Sequence, residues 1–201
     1  MKGYYFITDD ALSKAGNLSD VKNAMAADVS VIQYRNKNSS VQKMCFEASQ
    51  IKELCSEKTK LIINDRSDVA LAVDVDGVHL GQNDLDYEIA RKLLGEAKII
   101  GVTVHTLEEA ISAEKKGADY LGVSPIFETF TKEDAGNAVG LELIKEIKNV
   151  CKVPIIAIGG ITLKNAKSVV DAGADGICAI SAVVTKENVK DEILKFQELF
   201  K

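Results

Sequence analysis

Residues 174–181 read Ala-Asp-Gly-Ile-Cys-Ala-Ile-Ser, and the chain repeats this pattern three more times. Ala118-Asp119 precedes YLGVSPIF (120–127), Val75-Asp76 precedes GVHLG (77–81), and Ala27-Asp28 precedes VSVIQYR (29–35). Each pair closes a stretch with helical apolar spacing and opens a short apolar run. Four similar runs lie between these. The strand candidates, in chain order, are Tyr4–Thr8, Ser30–Arg35, Leu61–Asn64, Gly77–Leu80, Ile99–Val104, Tyr120–Val123, Ile155–Ile158 and Gly176–Ile180. Helical spacing follows each, as at Val41–Glu57, Leu107–Lys116, Leu141–Val150 and Val189–Phe200. Several strands are apolar on both faces, as in a parallel sheet covered on both sides. A βαβα unit repeated four times predicts an α/β fold, a single (β/α)8 TIM barrel spanning residues 1–201. An open doubly wound sheet is the rival, but it usually has fewer strands and lacks the fourfold rhythm.

Composition narrows the function. Hydrophobic residues make up 46% of the 201 and charged residues 27%, as in a soluble globular protein. A net charge of −5 argues against broad attraction to nucleic acid or an anionic membrane. No apolar run reaches the ~18 residues of a membrane span. MKGYYFITDD enters a strand-like run without the pattern of a signal peptide, so a cytoplasmic location is expected. Cys45, Cys55, Cys151 and Cys178 form no Cys-x-x-Cys pair and read as reduced structural thiols. Nothing in the sequence excludes a homo-oligomer.

A β/α barrel carries its active site at the carboxyl ends of its strands. One end reads Gln33-Tyr34-Arg35-Asn36-Lys37. Side chains alternate along a strand, so Gln33, Arg35 and Lys37 share a face. Two cations at a barrel mouth suit a polyanion such as pyrophosphate. Asn64-Asp65 and Gly81-Gln82-Asn83-Asp84 end the next two strands. Asp65 and Asp84 can therefore approach each other and share Mg²⁺ with a diphosphate; equally, each can cap the helix that follows it. Thr103 can donate a hydroxyl to a phosphate oxygen. His79 and His105 end neighbouring strands, where a hydrogen-bonded structural role is commoner than a catalytic one. The longest irregular stretch, 128–139, includes Thr129, Thr131 and Lys132 and reads as a lid. Gly159-Gly160 and Ile180-Ser181 end the last two strands, where these barrels build phosphate cradles from backbone N–H groups. The layout gives two anion sites on one mouth, for two phosphorylated partners or one bisphosphate.

The segments YYFITD, QYRNK, LIINDRSDVALAVDVDGVHLGQND, GVTVHTLEEA, GADYLGVSPIFETFTKED, PIIAIGGIT and AGADGICAISAV span Tyr4 to Val183. In that order they resemble the thiamine phosphate synthase family. The resemblance implies a transferase that joins two small phosphorylated heterocycles. Pyrophosphate leaves a pyrimidinylmethyl pyrophosphate, and the nitrogen of a thiazole phosphate (or its carboxylated form) takes its place. It further implies one Mg²⁺ per subunit, held by Asp65 and Asp84. Gln33, Arg35, Lys37, Asn64 and Lys132 would hold the pyrimidine pyrophosphate, with Tyr34 and Asn36 of the same segment among the substrate-binding residues. Thr103 stands where the family usually has serine and would bind pyrophosphate. Arg35, Lys37, Lys132 and Thr103 would carry the chemistry, while Thr129, Thr131, Gly160, Ile180 and Ser181 would bind the thiazole phosphate. Two positions depart from the family pattern: Ser124 replaces a usual glycine and Glu128 a usual proline. Phe-Glu-Thr at 127–129 is similar to the related thiazole tautomerases, which need neither metal nor pyrophosphate. A non-catalytic thiamine-phosphate sensor is the third reading. Retention of Asp65, Asp84, Arg35, Lys37 and Lys132 favours the synthase over both.

Overall fold

The computed structural model describes residues 1–129 and 136–201. Thr131 and Lys132 lie outside the described residues. Nine strand segments occur: β1 (Gly3–Tyr4), β2 (Phe6–Ile7), β3 (Val31–Tyr34), β4 (Lys60–Asn64), β5 (Gly77–Leu80), β6 (Ile99–Val104), β7 (Tyr120–Val123), β8 (Ile155–Ile158) and β9 (Gly176–Cys178). All pair in parallel, in the order β1-β9-β8-β7-β6-β5-β4-β3-β2. β1 and β2 are halves of one strand parted only by Tyr5, so the ring closes through the chain as an eight-stave barrel. The unbroken strand expected over Tyr4–Thr8 is thus divided. Closure tilts strands across one another. The N-terminal strand therefore bonds to β9 first and to β3 afterwards.

Helices α1 (Asn17–Ala26), α2 (Val41–Leu54), α3 (Ser67–Val73), α4 (Tyr87–Leu94), α5 (Leu107–Lys116), α6 (Gly140–Val150) and α7 (Ala166–Asp171) each follow a stave. Ser40, Asp86, Thr106 and Asn188 cap their helices, each side chain accepting a backbone N–H. The last strand stops at Cys178 rather than Ile180, because Ile180 opens a short helix, α8 (Ile180–Val184). The expected helix Val189–Phe200 is α9 (Val189–Gln197) followed by a 3-10 turn, Glu198–Phe200. Among the described residues no helix is long and apolar enough to cross a membrane.

The repeated Asp has a shared structural task. Asp76 Oδ2 accepts the Leu61 N–H at 2.9 Å, and the Asp76 N–H returns to Leu61 O at 3.0 Å. Asp119 clasps Ile100 in the same way at 2.7 and 2.9 Å, and Asp175 clasps Ile155 at 2.9 and 2.9 Å. A cation steadies each clasp: Lys60, Arg91 and Lys148 respectively. These residues sit at the amino ends of the strands, the face that supports stability in such barrels. The first copy differs. Asp28 has a φ of 56° and lies three residues before β3 begins, so it serves a turn instead.

Strand side chains fill both layers. Ile32, Ile62, Ile63, Ile100 and Leu121 are fully buried, each contributing roughly 1.5–3 kcal/mol over an exposed state. α2 covers them with Met44, Ala48 and Ile51, and α6 with Leu143, Ile144 and Ile147. Glycine makes room inside the ring. A Cβ on Gly101 would fall 2.0 Å from Tyr120 Cζ, and one on Gly122 would fall 2.9 Å from His79 Cε1.

Candidate active site

Two cavities open at the carboxyl ends of the strands, and Ser124 lines both. The first, about 140 Å³, is lined by Lys37, Asn64, Asp65, Asp84, Thr103 and His105, among others. Asn64 pairs in register with His79 across β4 and β5, which brings the loops carrying Asp65 and Asp84 side by side. Neither carboxylate caps the helix after it. Arg66 holds the cap position of α3 without a side-chain bond, and Asp86 caps α4 by accepting from Glu88 N. Asp84 Oδ2 instead accepts the Gly81 N–H at 2.6 Å. Asp65 has a φ of 63°, left-handed backbone that costs an L-residue on the order of 1 kcal/mol and clusters at functional sites. Two carboxylates on adjacent strand ends, facing an open cavity beside a lysine, fit a hard cation that completes its shell with phosphate and water.

The QYRNK segment divides. Lys37 lines the first cavity. Gln33 points into the barrel and donates from Nε2 to Tyr5 Oη at 3.0 Å. Arg35 is buried and donates from Nη1 to Asp9 Oδ2 at 2.7 Å; its Nε has no partner among the described residues. Asp9 was not singled out from the sequence, although a buried guanidinium requires a partner and Asp9 lies two residues beyond the neighbouring strand β2. Tyr34 and Asn36 alternate to the helix side. Tyr34 Oη donates to Glu47 Oε2 at 2.5 Å, and Asn36 Nδ2 reaches the same oxygen at 3.5 Å. Neither is among the residues lining the two cavities. Burial, then Glu47, drives the Tyr34 phenol pKa upward.

The histidines are held at their ring nitrogens. His79 Nδ1 lies 2.9 Å from Tyr120 Oη and its Nε2 2.7 Å from Thr103 Oγ1. His105 Nδ1 donates to Ser124 O at 2.5 Å. Gln82 Nε2 donates to Thr103 O at 2.6 Å, fixing that strand end.

The second cavity, about 30 Å³, brings together Thr129, Gly160, Ile180 and Ser181, with Gly159 and Cys178. Gly159 and Gly160 have φ of 101° and 63°. A Cβ at Gly159 would meet Pro125 Cβ at 2.5 Å, and one at Gly160 would meet Glu128 O at 2.5 Å. Only glycine lets the two loops close together here. Phe127 N donates to Gly159 O at 3.1 Å, and Asn165 Nδ2 donates to Gly160 O at 3.0 Å, so the cradle is braced from both sides. The departures Ser124 and Glu128 both fall on this seam.

Known proteins resemble this chain along nearly its whole length. The family model described as thiamine monophosphate synthase matches residues 4–183. A thiamine-phosphate synthase of Methanosarcina mazei is 51% identical over 98% of this chain and 82% of its own length. One of Methanospirillum hungatei is 47% identical over 98% of this chain and 97% of its own. Among solved structures, thiamine phosphate pyrophosphorylase from Pyrococcus furiosus superposes with a TM-score of 0.90 at 39% identity, covering 98% of this chain and 95% of that one. The family model and the two Methanosarcina and Methanospirillum relatives carry the synthase name, so the tautomerase reading is not favoured. By its sequence, its barrel and its near-complete coverage of these relatives, the chain belongs to the thiamine monophosphate synthase family.

Proposed function

We propose that the mouth holds a pyrimidinylmethyl diphosphate in the cavity beside Asp65 and Asp84, and a thiazole phosphate on the Gly160–Ser181 side, and couples them. The observation that carries this reading is the pair of unlike cavities sharing Ser124, one rich in carboxylate and cation, the other backed by glycine. In the reaction the methylene C–O bond breaks, its electron pair leaving with the diphosphate, and the thiazole nitrogen forms the new C–N bond. No protein nucleophile is consumed. Lys37 and Thr103 would bind the departing diphosphate, meeting charge where it develops. Asp65 and Asp84 would hold Mg²⁺, whose charge would help to neutralise that of the leaving group. Thr129, Gly160, Ile180 and Ser181 would fix the thiazole phosphate and so aim its ring nitrogen. Thr131 and Lys132 keep, in this proposal, the roles the family resemblance implies. Arg35, clamped by Asp9, would act on the diphosphate from beneath the rim.

The test is a coupled assay for pyrophosphate release with both substrates. Release should require both substrates and Mg²⁺, and chelation should abolish it. Release at an undiminished rate with metal chelated would remove the metal and its two ligands from the proposal.

A further inference from the structure

An unbroken run of hydrogen bonds crosses the barrel interior and ends at the proposed site. Gln33 Nε2 to Tyr5 Oη is 3.0 Å, and Tyr5 Oη to Tyr120 Oη is 2.7 Å. Tyr120 Oη to His79 Nδ1 is 2.9 Å, and His79 Nε2 to Thr103 Oγ1 is 2.7 Å. Tyr5, Gln33 and Tyr120 are buried, and the Tyr120 ring stacks on His79 with centroids 5.4 Å apart. Gly101 and Gly122 are the positions whose missing Cβ atoms admit these two rings.

The direction of the run is set at its inner end. An amide nitrogen only donates, so Tyr5 Oη accepts from Gln33 and passes its own proton to Tyr120. Tyr120 then donates to Nδ1. A neutral imidazole whose Nδ1 accepts carries its proton on Nε2, and that proton goes to Thr103 Oγ1. With one lone pair of its oxygen engaged, the Thr103 hydroxyl is left to donate outward, into the cavity lined by Lys37 and Asp65.

We propose that Gln33, Tyr5, Tyr120 and His79 are positioning residues that commit Thr103 to act as a hydrogen-bond donor to the departing diphosphate. This rests on the reaction assigned above. Burial raises the pKa of both buried phenols well above the ordinary value, so neither link loses its proton near neutrality. Turning the Gln33 amide over would invert every bond, place the imidazole proton on Nδ1 and make Thr103 an acceptor facing phosphate oxygens. The tautomer of His79 therefore reports the polarity.

The experiment is ¹⁵N NMR of the histidine side chains in the full-length protein, with a His105→Gln variant to assign the two rings. It is paired with steady-state pyrophosphate release. The Nε2–H tautomer is expected for His79. Tyr120→Phe should lose that single tautomer and lower kcat by about tenfold, with KM for the thiazole phosphate unchanged, as for one hydrogen bond made to the leaving group. Thr103→Ser should retain activity and Thr103→Val should not. An Nδ1–H tautomer or an imidazolium in the unmodified protein overturns the inference, as does Tyr120→Phe turning over like the parent. If Tyr120→Phe fails to fold, the tautomer of the unmodified protein decides. If that protein releases no pyrophosphate with both substrates, the functional reading fails instead, while the tautomer remains separately measurable.

Discussion

Aspartates stand at both ends of this barrel, and their surroundings differ. At the amino ends, Asp76, Asp119 and Asp175 each accept a backbone N–H from the neighbouring strand and meet a cation. At the carboxyl ends, Asp84 accepts one N–H from within its own loop, and Asp65 sits in left-handed backbone at the edge of a cavity. The same side chain clasps a neighbouring strand at the amino ends and lines a cavity at the carboxyl ends. Among these five aspartates, position along the strand separates the strand clasps from the cavity rim.

That contrast can be broken at either end. Asp84→Asn retains the acceptor for Gly81 N–H but removes the charge. Turnover should fall by on the order of 10²–10³, with a melting temperature close to that of the parent. Turnover near the parent's would detach Asp84 from the chemistry. Asp119→Ala should do the opposite. It strands the buried Ile100 N–H and costs roughly 1–3 kcal/mol, lowering the melting temperature by about 2–4 °C per kcal/mol at this chain length. Its kcat, measured well below melting, should not change; a large fall in kcat would show that the two ends are coupled. Tyr34→Phe should have the smallest effect. It removes the hydroxyl that donates to Glu47, for about 1 kcal/mol of stability, and leaves both KM values unaltered. A raised KM for the pyrimidine substrate would return Tyr34 to the substrate-binding set.

The repeat of Asp before apolar runs made the ring legible, because a closed parallel barrel needs the same join at several strands. The break at Tyr5 was not legible. It follows from which neighbour each half-strand meets, and that depends on closure rather than on local pattern. The convergence of Asp65, Asp84, Lys37 and Thr103 on one cavity was readable because strand ends become neighbours in any such ring. Alternation along QYRNK puts Gln33, Arg35 and Lys37 on one face, and the structure turns Tyr34 and Asn36 to Glu47 on the other. The Asp9 partner of Arg35 and the Tyr5–Tyr120–His79 run escaped notice. They join residues up to 115 positions apart, which no local spacing records. Counting buried donors against acceptors across adjacent staves would have raised both.

Three of the four repeat copies clasp a preceding strand, joining β4 to β5, β6 to β7 and β8 to β9. The remaining copy, Asp28, does not, and the neighbouring N-terminal strand is the one that changes partners at Tyr5. The ring thus has three latched joins and, at the N-terminal strand, one join without a latch. Amide hydrogen exchange should be fastest there, with Phe6, Ile7 and Ile32 losing protection before Leu61, Ile100 and Ile155.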